Sequence, residues 1–129
     1  SARTSALTAA LITKETAKLP TEGMIGGQFR HGPIEVVDEK VAIVIFMGTG
    51  NARVLNDALA HDLVLRGGHV IAIGANVSTP SSINIPALED NIATVVEIVP
   101  IQLLAAALAN LRGFVPGKFR YSSKVTTTE

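Results

Sequence analysis

Two apolar runs, VAIVIFMG (Val41 to Gly48) and HVIAIG (His69 to Gly74), limit what this chain can fold into. Each is continuous and rich in β-branched residues, the pattern of a strand buried on both faces. Between them, NARVLNDALAHDLVLRGG reads as an amphipathic helix closed by Gly67 and Gly68. A strand–helix–strand unit with short glycine-rich joints predicts a parallel α/β sheet with a right-handed crossover. At 129 residues the chain is one domain or a piece of one, long enough to bury a workable core.

The remaining elements fit that class, with one gap. Ser5 to Leu19 is rich in Ala and Leu, has Thr4 or Ser5 available as N-cap, and is ended by Pro20. SINIP predicts a further short strand. ATVVEIVPIQLLAAALANLRG has a β-branched first half and a helical second half running to Arg112 and Gly113, so its own residues leave helix and strand open. The tail FVPGKFRYSSKVTTTE lacks periodicity. A doubly wound sheet ordinarily begins with a strand, whereas here the first element is a helix. The chain also opens with Ser1 rather than Met, the expectation for a processed chain or one cut from something longer.

Composition removes several function classes. Lys plus Arg and Asp plus Glu both number 11, so the chain lacks the basic surplus of a nucleic-acid binder. No uninterrupted apolar run reaches the roughly 18 residues of a membrane span, and Lys14 and Glu15 break the apolar opening that a signal peptide would need. The absence of cysteine excludes disulfides, thiol nucleophiles and thiolate metal sites, and cytoplasm is the expected compartment. No His/Asp/Glu cluster has metal-ligand spacing, and no Ser–His–acid order points to nucleophilic catalysis.

A few residues have the chemistry for a site. His31 lies in FRHGP, where Gly32-Pro33 fixes the backbone and sets the direction of the imidazole. A histidine beside a turn also serves simply to bond a carbonyl. Thr8, Ile12 and Glu15 share one helix face at i, i+4 and i+7. If that face is buried, Glu15 is desolvated and suits a general base near neutral pH; otherwise it is a solvated carboxylate. GTGN, Gly48 to Asn51, reads as a tight strand-to-helix turn, since it lacks the spacing of a dinucleotide fingerprint and the Lys of a P-loop. VSTPSS reads as a surface loop, His61 and His69 as surface residues, and Lys124 by itself as an ordinary terminal lysine.

Four motifs in order, ALTAALITKE, QFRHGPIEVVD, VPIQLLA and KVTTTE, resemble the SIS (sugar isomerase) domain family. The likeness is to the second domain of a tandem pair, as in the isomerase part of glutamine–fructose-6-phosphate aminotransferases. Related amino-sugar phosphate deaminases and deglycases share it. The spacing from Lys14-Glu15 to His31 fits, and the resemblance covers nearly the whole chain. It implies a three-layer αβα sandwich with a parallel, flavodoxin-like sheet whose first strand precedes Ser1. It further implies a SIS domain over residues 1–113, a tail over 114–129 that closes on the active site, and a helical reading of ATVVEIVP.

The resemblance also implies roles. Glu15 falls at the base that moves a proton between C1 and C2 of an open-chain sugar. His31 falls at the ring-opening histidine, which reaches into the active site of a neighbouring subunit. Lys124 falls at the tail lysine beside the sugar carbonyl, with Ser123 and Arg30 as substrate-binding neighbours. The implied partners are a hexose or hexosamine 6-phosphate, the other SIS half of the same protein and a second copy of the chain. No metal, organic cofactor, nucleic acid or membrane is implied. Thr8, Ile12 and Gln28 stand where the synthase has Glu, Lys and Glu. These departures leave isomerase, deaminase, deglycase and synthase chemistry open, and beside them a regulatory module that binds a sugar phosphate without turnover.

Overall fold

The computed structural model describes residues 2–121 and Val125. In chain order the elements are helix α1 (Ala2–Ala17), the short helix α2 (Gly26–Arg30) and a 3-10 turn (Pro33–Val36). Strand β1 (Ala42–Phe46), helix α3 (Gly50–Leu65), strands β2 (His69–Gly74) and β3 (Ser82–Asn84) and helix α4 (Asp90–Leu111) follow. The three strands form a parallel sheet in the order β1-β2-β3.

Strand alternation sorts the core into two layers. Ile43 pairs with Val70 and Ile45 with Ala72, so all four point to one face. There they meet Leu59 and Leu63 of α3, together with Phe29 of α2. The intervening residues Val44, Phe46, Ile71 and Ile73 face the other way and pack with Ala9 of α1 and Ile98 and Ile101 of α4. The sheet is thus sandwiched between α2/α3 and α1/α4, the three-layer αβα arrangement expected.

The outer layer α1/α4 is built on small side chains. Ala9, Ala10 and Ala17 of α1 and Ala93, Ala105 and Ala109 of α4 are buried, which lets the two helix backbones approach closely. Arg112 then donates from Nε to the carbonyl of Ala17 at 3.1 Å, satisfying the open end of α1. The chain leaves α1 through Lys18, at φ 57°, and returns past it at Gly23. A Cβ at Gly23 would lie 2.7 Å from the Ala6 carbonyl oxygen, so only glycine fits there.

Two local readings change, both at the ends of α1. Helix α1 begins at Ala2, so Thr4 and Ser5 lie inside it rather than capping it. It ends at Ala17, ahead of Pro20. The stretch ATVVEIVP is helical from Asp90 onward, as the family likeness implied and against its β-branched composition. By length and composition Asn91–Leu111 could cross a bilayer. Here it forms a layer of the domain, with Ala93, Ile98, Ile101, Ala105 and Ala109 buried.

Candidate active site

Glu15 occupies the last turn of α1, where the polypeptide tail passes. The two enclose a cleft of about 370 Å³, lined among others by Lys14, Glu15, Lys18, Phe119, Arg120 and Tyr121. Lys18 fastens the tail in place. Its Nζ donates to the Glu15 carbonyl and, at 3.0 Å, to the Lys118 carbonyl, and it lies 5.7 Å from the centre of the Phe119 ring. Arg120 stacks 4.3 Å from the centre of the Phe114 ring, which also receives Arg112 at 5.7 Å. The tail is therefore clipped to the α1/α4 layer by cations on aromatic faces.

The setting of Glu15 differs from the expected one. Thr8 and Ile12 are half-buried, but Glu15 itself is exposed. The reason is positional: Thr8 and Ile12 lie along the length of α1, whereas Glu15 projects at its end, where the neighbouring groups are an open cleft and lysines. The carboxylate is thus surrounded by charge and water in this chain, without the desolvation that a buried face would impose. Lys14, Lys18 and Arg120 make the cleft strongly cationic around one carboxylate. Such a cleft can take up an anion and present a carboxylate to it.

His31 sits on the opposite layer. Its backbone N–H caps α2 by bonding the Gln28 carbonyl at 3.1 Å, and Gly32 follows at φ 131°, a conformation that only glycine adopts without strain. Phe29 and Ile34, on either side of the turn, pack into the α3-side core. The imidazole is exposed and does not line the Glu15 cleft. Within one chain the structure does not bring His31 and Glu15 together. Arg30, beside it, is engaged with Asp62 of α3 at 2.7 Å. The hydrogen bond from Arg30 holds the Asp62 carboxyl below the ordinary carboxylate range, helped by the charges of Arg30, His61 and Arg66. Ser123 and Lys124 lie outside the described residues. Among the described residues, no group of three His, Asp or Glu side chains gathers as a metal site.

The sequence reading overlooked two residues. Lys18 could have been found from its spacing, three residues beyond Glu15 at the end of a helix. Glu97 is 2% exposed, and its carboxylate accepts a hydrogen bond from the fully buried Ser5 hydroxyl. Its signal was a lone acid inside the apolar run VVEIVP.

A family model described as the SIS domain matches residues 1–109. A glutamine–fructose-6-phosphate aminotransferase (isomerizing) of Arabidopsis thaliana is 34% identical over 133 residues, an alignment taking in 97% of this chain and 20% of that protein. The chain thus spans about a fifth of the length of that relative. Among solved structures, the C-terminal domain of the glucosamine-fructose-6-phosphate aminotransferase from Francisella tularensis superposes with a TM-score of 0.79 at 25% identity, covering 88% of this chain and 34% of that one. A protein assigned as a phosphosugar isomerase from Clostridium difficile 630 superposes with a TM-score of 0.75 at 28% identity, covering 92% and 35%.

Proposed function

Because the chain belongs to the SIS domain family, we propose that it supplies the base and the closing tail of a site acting on a hexose or hexosamine 6-phosphate. The supporting observation is the cleft that sets Glu15 among Lys14, Lys18 and Arg120, on the path of the tail that continues to Lys124. The cations suit an anionic sugar, and the carboxylate suits proton transfer. In the proposed reaction Glu15 removes the proton next to the carbonyl of the open-chain sugar. The electron pair forms the C1–C2 double bond while the carbonyl oxygen gains a proton, giving a cis-enediol or enolamine. Return of the proton to the neighbouring carbon, with loss of the hydroxyl proton from the oxygen that becomes the new carbonyl, completes an aldose–ketose exchange.

Lys124 stands at the carbonyl end in this reading, with Ser123 beside it as a substrate contact, and residues 114–129 form the closing tail of a domain spanning 1–113. His31 serves as ring-opening acid/base in the site of a second copy, which accounts for its exposure away from Glu15 in its own chain. The other SIS half of the same polypeptide completes the site. Closure of those parts over Glu15 would provide the desolvation that this chain alone lacks. Arg30 belongs to the substrate-binding set only if a sugar phosphate draws it from Asp62.

A sugar-phosphate-binding regulatory module is the second reading. It is favoured by the exposure of Glu15 and by Thr8 and Ile12 at positions where the aminotransferase family carries charged residues. The test is proton NMR in D₂O on the full natural polypeptide, with fructose 6-phosphate and glucosamine 6-phosphate in separate samples. Deuterium entering at C1 or C2, and lost in Glu15→Gln, supports the enzyme; free ammonia would separate a deaminase from an isomerase. Binding of either sugar without exchange selects the regulatory module.

A further inference from the structure

Lys18 holds a backbone conformation that lysine rarely adopts. It follows the last residue of α1 at φ 57°, and its N–H closes on the Lys14 carbonyl at 3.1 Å. Helices commonly end in this left-handed way, but with glycine at the turning residue, because a side chain there is strained. Such strained residues cluster at functional sites, where other contacts hold them. The contacts of Lys18 are made by its side chain. Its Nζ donates to the carbonyls of Glu15 and Lys118, the latter at 3.0 Å, and stands 5.7 Å from the centre of the Phe119 ring. The strap that receives it is preformed. The Pro116-Gly117 turn, with Gly117 at φ 79°, brings the Lys118 N–H to the Val115 carbonyl at 3.1 Å.

These contacts leave the ammonium fixed yet incompletely used. It has three N–H donors, and carbonyls take two of them. Among the described residues it pairs with no carboxylate, so its charge is not cancelled. The end of α1 is also made less repellent to an anion. Lys18 covers the Glu15 carbonyl and Arg112 the Ala17 carbonyl, two of the groups that carry the negative end of the helix dipole. Lys18 lines the Glu15 cleft with Lys14 and Arg120, so an anion entering there meets an ammonium already oriented. A phosphate gains most from such a group, because a charged hydrogen bond is stronger than one to a neutral hydroxyl.

We infer that Lys18 is the residue of the Glu15 cleft that selects a phosphorylated sugar over the free sugar. Its remaining N–H takes a phosphate oxygen while the other two hold the Glu15 and Lys118 carbonyls. The choice of ligand rests on the proposed action on sugar phosphates. Phosphate binding and docking of the tail then strengthen each other. With the tail docked, the ammonium is already ordered for the phosphate; with phosphate bound, it is already ordered for the Lys118 carbonyl.

The experiment is calorimetric titration of the full natural polypeptide, wild type and Lys18 variants, with fructose 6-phosphate, fructose and inorganic phosphate. Lys18→Gly removes the ammonium and suits the left-handed backbone, so α1 keeps its ending. It should weaken fructose 6-phosphate about fivefold or more, weaken inorganic phosphate in proportion, and leave fructose unchanged. Lys18→Arg keeps a charged donor and should recover most of the lost affinity. Coupling to the tail is measured by trypsin cleavage after Lys118 and Arg120. Fructose 6-phosphate should slow that cleavage in wild type but not in Lys18→Gly. Equal affinity of wild type and Lys18→Gly for fructose 6-phosphate, or an equal loss for fructose, would overturn the inference and leave Lys18 as the cap of α1. Equal protection of the tail in both proteins would overturn the coupling. These measurements are of binding, so a preference that depends on Lys18 without deuterium exchange would defeat only the catalytic reading. Exchange with an unchanged preference would defeat only this inference.

Discussion

The two ends of helix α1 hold the same functional group in opposite surroundings. At its C-terminal end Glu15 is exposed among Lys14, Lys18 and Arg120. Near its N-terminal end Glu97 reaches across from α4 and is buried on the hydroxyl of Ser5. An exposed carboxylate costs the fold almost nothing, so it is free to be used in chemistry. A buried carboxylate is a burden on stability unless hydrogen bonds compensate it, so its surroundings are built around it. The same contrast predicts that substitution at one end is felt in turnover and at the other in folding.

Glu15→Gln should produce the largest change. If Glu15 is the base, deuterium exchange into the sugar should fall by about 10²- to 10⁴-fold, the usual contribution of a positioned acid–base group. The midpoint of denaturant unfolding should barely move, since the side chain is exposed. A large loss of stability with turnover intact would reverse the comparison.

Glu97→Ala should behave in the opposite sense. It removes the acceptor of the buried Ser5 hydroxyl and should cost about 1–3 kcal/mol in urea unfolding of the full polypeptide. Ser5→Ala should cost a similar amount, and the double variant less than the sum, because both single changes break one bond. Additive costs would show that the two groups are not coupled as the structure places them.

Much of the scaffold was legible in the sequence because it is written in local patterns. The runs Val41 to Gly48 and His69 to Gly74 contain the two longer strands, and the amphipathic stretch between them is α3. What was not legible depends on distant partners. Val95, Val96, Ile98 and Val99 favour a strand by composition, yet helix wins because Ile98 and Ile101 pack on the sheet face made by Phe46 and Ile73. Ser5 looks like a helix cap until its partner, 92 residues away, is seen. In the candidate site, Glu15 and residues 119–121 line one cleft, a neighbourhood that no local pattern in the sequence announces. The burial imagined for Glu15 does not follow, because sharing a face with Ile12 says nothing about what lies beyond the end of the helix. Periodicity cannot reveal that His31 lies on the other side of the sheet from Glu15.

Lys18→Ala tests how the charged end is closed. It deletes one cation of the cleft and the bond that ties the tail to α1 through Lys118. The expected result is a rise in KM for the sugar phosphate of several-fold with a smaller effect on kcat, and a stability cost of about 1 kcal/mol or less, as for a partly exposed hydrogen bond. A fall in kcat alone would mean that Lys18 takes part in chemistry rather than in holding the tail and the anion.

The smallest effect belongs to the ion pair of Arg30 with Asp62. Asp62 titrates below its ordinary value, 3.8, chiefly because Arg30 donates a hydrogen bond to its ionised form. A carboxyl whose folded pKa is depressed adds stability that is present above the unfolded pKa and is lost as pH falls through the folded one. Asp62→Asn should therefore remove a small stabilisation at pH 7, and the difference should vanish as pH falls through the folded pKa and the wild-type carboxyl takes up its proton. Exposed pairs are screened by salt, so the difference at pH 7 should also shrink at high ionic strength. If sugar phosphate draws Arg30 from Asp62, saturating ligand should abolish the difference between wild type and Asp62→Asn at pH 7. If the difference persists with ligand bound, Arg30 stays on Asp62 and belongs to the scaffold of the His31 turn, leaving the anion to Lys14, Lys18 and Arg120.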